Sequence, residues 1–293
     1  MRIVFVGAVE FSFYALRKLI SLGADVVGVC TAKESKFNAD HFDLSGICLE
    51  NDLPCLITSN INDIESIDWI RSRRPDVIFC FGWSRLLNKE ILSMPPLGVV
   101  GFHPAALPAN RGRHPLIWAL VLGLKETAST FFFMKEGADD GDILSQCKIE
   151  IADDDDARVL YDKMTNTALL QIQKFVPSLM VGNYDRLSQE GLLSNSWRKR
   201  SRLDGQIDWR MSAHSIHNLV RGLTRPYIGA HFIFKSEEIK VWRTKVIYGI
   251  AVNMEPGKVV AYQNDCPVIK CGENAICLID SELKTNCGVG EYL

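Results

Sequence analysis

Long hydrophobic runs are missing from this sequence. The longest, Leu116 to Leu124, falls far short of the ~20 apolar residues a membrane-spanning helix needs. The apolar N-terminus Met1-Arg-Ile-Val-Phe-Val-Gly7 is interrupted at Glu10 and followed by no small-residue cleavage site, so it reads as a first strand rather than a leader. An excess of basic charge is missing too. With a net charge of -2 and a pI near 6.3, the chain has no overall attraction for nucleic acid. Nothing like Gly-x-Gly-x-x-Gly follows the first strand in Gly7-Ala-Val-Glu-Phe-Ser12, which removes the dinucleotide fingerprint and disfavours hydride transfer. The 9 cysteines are odd in number and include no Cys-x-x-Cys unit, although Cys266, Cys271, Cys277 and Cys287 fall in one region. That argues against a disulfide framework and against a metal site, and for a reducing compartment. These absences together predict a soluble cytoplasmic protein that contacts neither membrane nor nucleic acid.

What is present is core. A chain of 293 residues, 47% of them apolar, is long enough for two domains. Short Val/Ile-rich runs at Ile3–Val6, Val26–Cys30, Pro54–Ile57, Val77–Phe81 and Val99–Phe102 alternate with helical patterns at Phe11–Leu22, His41–Glu50, Ile64–Arg73 and Lys89–Leu92. Strands apolar on both faces, alternating with helices, predict an α/β domain built on a doubly wound, mostly parallel, Rossmann-like sheet. The Asp153-Asp-Asp-Asp156 run looks like a metal cluster, but it directly precedes the helical pattern from Ala157 to Leu179, so its carboxylates read as helix caps. The polar stretch 191–208 has no sustained apolar periodicity and reads as a linker between a domain at 1–190 and a second at 209–293; its basic cluster Trp197-Arg-Lys-Arg-Ser-Arg202 reads as solvated. A helix at Ser212–Leu223 and strand-like runs from Ala230 to Ile279 predict a small, mostly β second domain.

Chemistry concentrates at two turns. The run Val99–Phe102 delivers His103 to a strand's carboxyl end, and Pro104, Pro108, Gly112 and Pro115 then forbid regular structure until a helix starts near Leu116. Open α/β sheets bind ligands at such strand ends. A second polar turn, Gly137-Ala-Asp-Asp-Gly-Asp142, lies between the apolar runs Thr130–Met134 and Ile143–Leu144, and its carboxylates could reach the histidine. An imidazole beside a carboxylate suits proton transfer or charge stabilisation, and the carboxylate would fix the tautomer. The plainer readings are that His103 is a satisfied structural histidine and Asp139 a turn-former, with Asp140 and Asp142 serving the turn.

The loop His103-Pro-x-x-Leu-Pro-x-x-Arg-Gly112 together with Gly137-x-Asp-x-Gly-Asp142 resembles the folate-dependent formyltransferases. In the second half, Ile207-Asp-Trp209, His217-Asn218-Leu-Val-Arg221, Pro226-Tyr-Ile-Gly-Ala230 and Val241-Trp242 are similar to that family's C-terminal OB-like domain. The resemblance implies N10-formyltetrahydrofolate as formyl donor, an amine as acceptor, His103 and Asp139 as the catalytic pair, and no metal. It also implies a folate pocket lined by the segment Phe81-Gly82-Trp83-Ser-Arg85-Leu86-Leu87 against the loop of Gly137, Ala138 and Asp140, gripped mainly through backbone groups. Read singly, Phe81, Leu86 and Leu87 are equally residues of the core. The family's catalytic asparagine falls on Gly101, which has no side chain. Either the missing donor is uncompensated, or glycine leaves room there for a water or a bulkier acceptor.

Within the family the chain looks closer to the sugar N-formyltransferases of the aminoarabinose type, which share the Arg111-Gly-Arg113-x-Pro-Leu-x-Trp118 run. It is more distant from the methionyl-tRNA formyltransferases, which carry a longer basic insertion where Thr31–Asp40 is short and nearly neutral. The implied acceptor is a nucleotide-linked deoxyamino sugar for surface glycan synthesis, with Arg111 and Arg113 facing its phosphates or a carboxylate. Arg111 serves equally well as a tie that holds the loop. The alternatives are a methionyl-tRNA formyltransferase and a catalytically silent sugar- or folate-binding homologue. A homodimer is among the assemblies the sequence leaves open.

Overall fold

The computed structural model describes residues 1–34, 39–284 and 287–293. The Thr31–Asp40 segment singled out above lies partly outside the described residues. The chain forms two compact units: one of residues 1–115, 127–149 and 162–197, the other of residues 116–126, 150–161 and 198–293.

The first unit is built on β1 (Arg2–Val6), α1 (Glu10–Ser21), β2 (Asp25–Thr31), α2 (Ser45–Glu50), β3 (Cys55–Ile57), α3 (Ile64–Ser72), β4 (Val77–Cys80), α4 (Lys89–Ser93) and β5 (Val99–His103). The short β6 (Arg111–Gly112), β7 (Glu126–Phe133), β8 (Ile143–Glu150), α6 (Ala157–Met180, in this unit from Asp162 onward) and β9 (Ser196–Trp197) follow, while α5 (Pro115–Val121) falls in the second unit but for its first residue. Seven strands form one sheet in the order β3-β2-β1-β4-β5-β7-β8. The strands from β1 to β5 pair in parallel, and β7 returns antiparallel to β5 with Gly101 opposite Phe132 and His103 opposite Thr130. Chain order reverses beside β1, so the carboxyl ends of β1, β4 and β5 open together at the switch point where such sheets bind ligands.

Both faces of these strands are covered, which is why they read as unbroken apolar runs. β4 is buried at every residue, and the rings of Phe5, Phe79, Phe131 and Phe175 stack or meet edge-on around Phe81 and one another at centroid distances of 4.8–6.1 Å. Aromatic pairs of this kind add roughly 0.5–1.5 kcal/mol each beyond the area they bury. Helix starts are set by side-chain oxygens: Asp63 accepts from the Ser66 amide at the head of α3, and Asn88 from the Ile91 amide at the head of α4. The helix expected over His41–Glu50 is shorter, because His41 bridges to Val9 and the Asp43 carboxylate accepts from the Ser45 amide, starting α2 there.

In the second unit, α7 (Ala213–Leu223) packs with an antiparallel sheet of β10 (Ala230–Phe234), β11 (Glu237–Ile247), β12 (Val259–Gln263), β13 (Cys266–Lys270) and β14 (Ala275–Ser281), ordered β10-β11-β14-β13-β12. The fold is therefore the mostly parallel α/β arrangement followed by an antiparallel β-rich domain that the sequence predicts. The basic cluster is not solvated throughout. Arg198 pairs with Asp204, Arg202 with Glu238, and the Arg198 and Arg200 guanidinium groups lie over the Trp118 ring. In the acidic run, Asp156 accepts from the Arg158 and Val159 amides, the capping role expected of it, while Asp155 accepts from the Ala152 amide. Among the described residues no helix is long and apolar enough to cross a membrane.

Candidate active site

His103 closes β5 and is 4% exposed. Its Nε2 lies 2.8 Å from the carbonyl oxygen of Asn110. A carbonyl only accepts, so Nε2 carries the hydrogen and Nδ1 is the ring nitrogen left for chemistry. Nδ1 faces the Asp139 carboxylate, whose Oδ2 stands 3.6 Å away. That separation suits an ion pair with a protonated ring but is too long for a hydrogen bond, so the Asn110 carbonyl, and not Asp139 as the sequence suggested, fixes the tautomer. Asp139 sits at φ +56°, a left-handed conformation that Asp tolerates better than most residues, and its Oδ2 accepts from the Gly112 amide at 2.9 Å. The two turns are thus stitched together by one hydrogen bond from the loop of His103 to the carboxylate of the other turn.

The loop after β4 gives a mixed picture. The Phe81 ring is fully buried in the aromatic core and Leu87 is buried as well, in keeping with the core reading of both, while Leu86 is exposed. Gly82, at φ +79°, lies so close to Val9 and Ser12 that a Cβ would fall 2.2 Å from Val9 Cγ2. Several carbonyls of the loop are engaged: Phe81 accepts from Ser12 Oγ, Ser84 from Arg113, and Leu86 from Asn62. Arg85 donates to the Ser59 carbonyl. Trp83 Nε1 and, on the other loop, Asp140 Oδ1 are buried with no hydrogen-bond partner. Buried polar atoms are rarely left so, and the two loops thus carry one orphan donor and one orphan acceptor. The neighbouring Gly137 and Ala138 are exposed.

Gly101 offers no open space. A Cβ there would lie 2.8 Å from Met134 Cγ, 3.0 Å from its Sδ and 3.1 Å from Phe132 Cε1. The room expected for a water or a bulkier acceptor where a side chain would stand is filled by Met134 and by the ring opposite on β7, so Gly101 is a packing position. Arg111 and Arg113 divide the roles considered for them. Arg111 donates from an Nη to Gln189 Oε1 at 2.7 Å and keeps a buried Nε without a partner; Arg113 is exposed, with one Nη on the Ser84 carbonyl at 2.8 Å.

Sequence reasoning missed two residues that meet these loops. Asn195 accepts from the Asn110 amide at 2.8 Å and donates to the Asn110 side chain, while Gln189 touches both turns. Both fall in the aperiodic region around the expected linker, of which Ser196–Trp197 pairs with Arg111–Gly112 in a short parallel ladder. No signal in a single sequence marks such residues. Among the described residues no group of three or more His, Cys, Asp or Glu side chains could hold a metal ion.

The sheet thus carries an imidazole–carboxylate pair at the carboxyl end of β5, beside its switch point. The family described as formyl transferase matches residues 1–172, and the formyl transferase C-terminal domain matches residues 200–289. The chain belongs to the formyltransferase family. It is 30% identical over 300 residues to a methionyl-tRNA formyltransferase of Caldanaerobacter subterraneus subsp. tengcongensis, covering 100% of this chain and 96% of the relative. It is 29% identical over 291 residues to the bifunctional polymyxin resistance protein ArnA of Wigglesworthia glossinidia brevipalpis, covering 99% of this chain and 44% of that longer protein. Among solved structures it superposes with TM-score 0.72 on WlaRD, a sugar 3N-formyl transferase crystallised with dTDP and 5-N-formyl-THF, over 97% of this chain and 99% of that one. Their identity is 18%, so this last likeness is one of fold.

Proposed function

We propose that the chain moves the formyl group of N10-formyltetrahydrofolate to the amine of a nucleotide-linked deoxyamino sugar. The observation that carries the reading is His103 itself, with Nε2–H anchored on the Asn110 carbonyl and Nδ1 turned toward Asp139. The acceptor's neutral amine attacks the formyl carbon, and His103 Nδ1 takes the proton the new ammonium sheds. The imidazolium so formed is stabilised by Asp139 and lends its charge to the tetrahedral oxyanion. As the bond from carbon to N10 breaks, the proton passes from Nδ1 to N10, leaving an N-formyl amide and tetrahydrofolate. Trp83 Nε1, Asp140 Oδ1 and the backbone amides from Gly82 to Leu86, whose carbonyls are largely engaged, are the groups proposed to meet the pterin.

The acceptor class is supported by charge. The chain is slightly acidic overall, whereas tRNA binding ordinarily draws on a basic face. Arg113, exposed beside the site, suits a diphosphate. A second reading, a methionyl-tRNA formyltransferase, is favoured by the full-length match to such an enzyme at 30% identity. One assay separates them: tetrahydrofolate release with UDP-4-amino-4-deoxyarabinose, dTDP-3-amino-3,6-dideoxygalactose and charged initiator tRNA as competing acceptors. Turnover with an amino sugar and none with the tRNA is expected. Formylation of the tRNA alone overturns the sugar assignment and establishes the second reading.

A further inference from the structure

The Gln189 side chain is 4% exposed and makes three hydrogen bonds, none of them local in sequence. Its Oε1 accepts from Arg111 at 2.7 Å, and its Nε2 donates to the carbonyl of Asp139 at 3.1 Å and to that of Gly141 at 2.5 Å. Asp139 lies in the left-handed region, and the two carbonyls Gln189 grips flank Asp140 at the centre of the turn. Just upstream of Gln189, Leu187 forms a two-bond bridge to Ile143, which fixes where this segment crosses the turn. The Arg111 amide donates to the Asn195 carbonyl and the Arg113 amide to the Trp197 carbonyl, whereas the intervening Gly112 amide points the other way, onto the Asp139 carboxylate.

Resting on the proposed catalytic pair, we infer that Gln189 is a positioning residue for Asp139: its carboxamide locks the turn at Asp139 and Gly141 to the Arg111 loop, and so sets the carboxylate's distance from His103. Neither donor nor acceptor of Gln189 reaches the reacting atoms. Its effect passes through the backbone of the turn, and its amide is matched to the job because it must accept from a guanidinium at one end and donate to carbonyls at the other. Glutamate in its place keeps the acceptor for Arg111 but sets a carboxylate against two carbonyl oxygens.

The test compares Gln189→Ala and the isosteric Gln189→Glu, alone and in an Asp139→Ala background, in the full-length chain. Expected for both single variants is a fall in kcat of ~10-fold or more, with KM for the formyl donor within about threefold, and no further fall in the Asp139→Ala background, since residues acting through one group are non-additive. Amide hydrogen exchange supplies a readout that needs no acceptor. The Gly112 amide should exchange ~10-fold faster in each Gln189 variant, as it should in Asp139→Ala, while those of Arg111 and Arg113, held by the Asn195 and Trp197 carbonyls, keep their rates. Near-native exchange at Gly112, additive losses in the double variant, or recovery in Gln189→Glu would each overturn the inference. An Asp139→Ala enzyme with native turnover would instead sink the catalytic reading on which it rests, and the two failures are distinguishable.

Discussion

His103 is confined by neighbours with opposite demands, a carbonyl that requires a hydrogen on Nε2 and a carboxylate that rewards one on Nδ1. The chemistry proposed uses that asymmetry, because only Nδ1 can gain and lose a proton without breaking the anchor. His103→Ala should therefore lower kcat by at least ~100-fold with folate affinity retained by equilibrium dialysis, and Asp139→Asn should do the same by removing the charge that stabilises the imidazolium. Near-native turnover in either variant would return both residues to structural roles. Gly101 makes a different case. Asparagine there must displace Met134 and the Phe132 ring, and overpacking of this kind costs roughly 1–3 kcal/mol, so Gly101→Asn should lower both the melting temperature and turnover. Adding Met134→Ala should recover stability. If that double variant also exceeds the parent enzyme in kcat by ~10-fold, an oxyanion donor was missing and unreplaced.

At the scale of elements, the readable part of the fold was whatever both faces of a sheet bury. β1, β4 and β5 announce themselves as apolar runs, and the Pro- and Gly-punctuated loop after β5 and the Gly137–Asp142 turn were visible as the breaks between them. What could not be read is lateral contact. Nothing in the sequence says that β7 lays Phe132 against Gly101, or that Gln189 and Asn195 return to the loop of His103, since polar residues in an aperiodic stretch carry no period to detect. The Phe81 ring, for which a core reading was open, is buried because the strand's burial runs one residue beyond its ladder. The return of β9 onto β6 has its own consequence. Asn195→Ala removes two bonds to Asn110, the residue whose carbonyl anchors His103 Nε2, while leaving the ladder's backbone bonds in place. A loss of about 0.5–1.5 kcal/mol in melting experiments and a several-fold fall in kcat are expected, with both measured on the same preparation. Unchanged kcat would show that the Asn110 carbonyl holds its place without help.

Over the whole molecule, a response to acid follows from groups of the second unit. His217 and His231 both belong to the second unit, and burial is the largest cause pushing each below the ordinary histidine range. Arg221 and His214 press His217 further down, against partial relief from Thr244 and Asp153. For His231, Glu238 works upward while Lys240 and Arg202 work downward. In the same unit, hydrogen bonds from Lys240 and Arg202 hold Glu238 down at about 2, and the Arg210 side chain holds Asp208 at about 2. A histidine depressed in the folded state favours folding above the unfolded value of about 6.5 and loses that contribution as pH falls below it. A depressed carboxylate favours folding above its unfolded value of about 4 and loses that contribution as pH falls toward its folded one. Calorimetry from pH 7.5 to 3 should therefore show the second unit's transition falling in two stages, one opening near pH 6.5 and one below about pH 4.5. Replacing His217 and His231 together by Gln should abolish the first stage and leave the second, because Glu238 keeps Arg202 and Lys240. A first stage that survives the double substitution would place the acid-sensitive groups elsewhere.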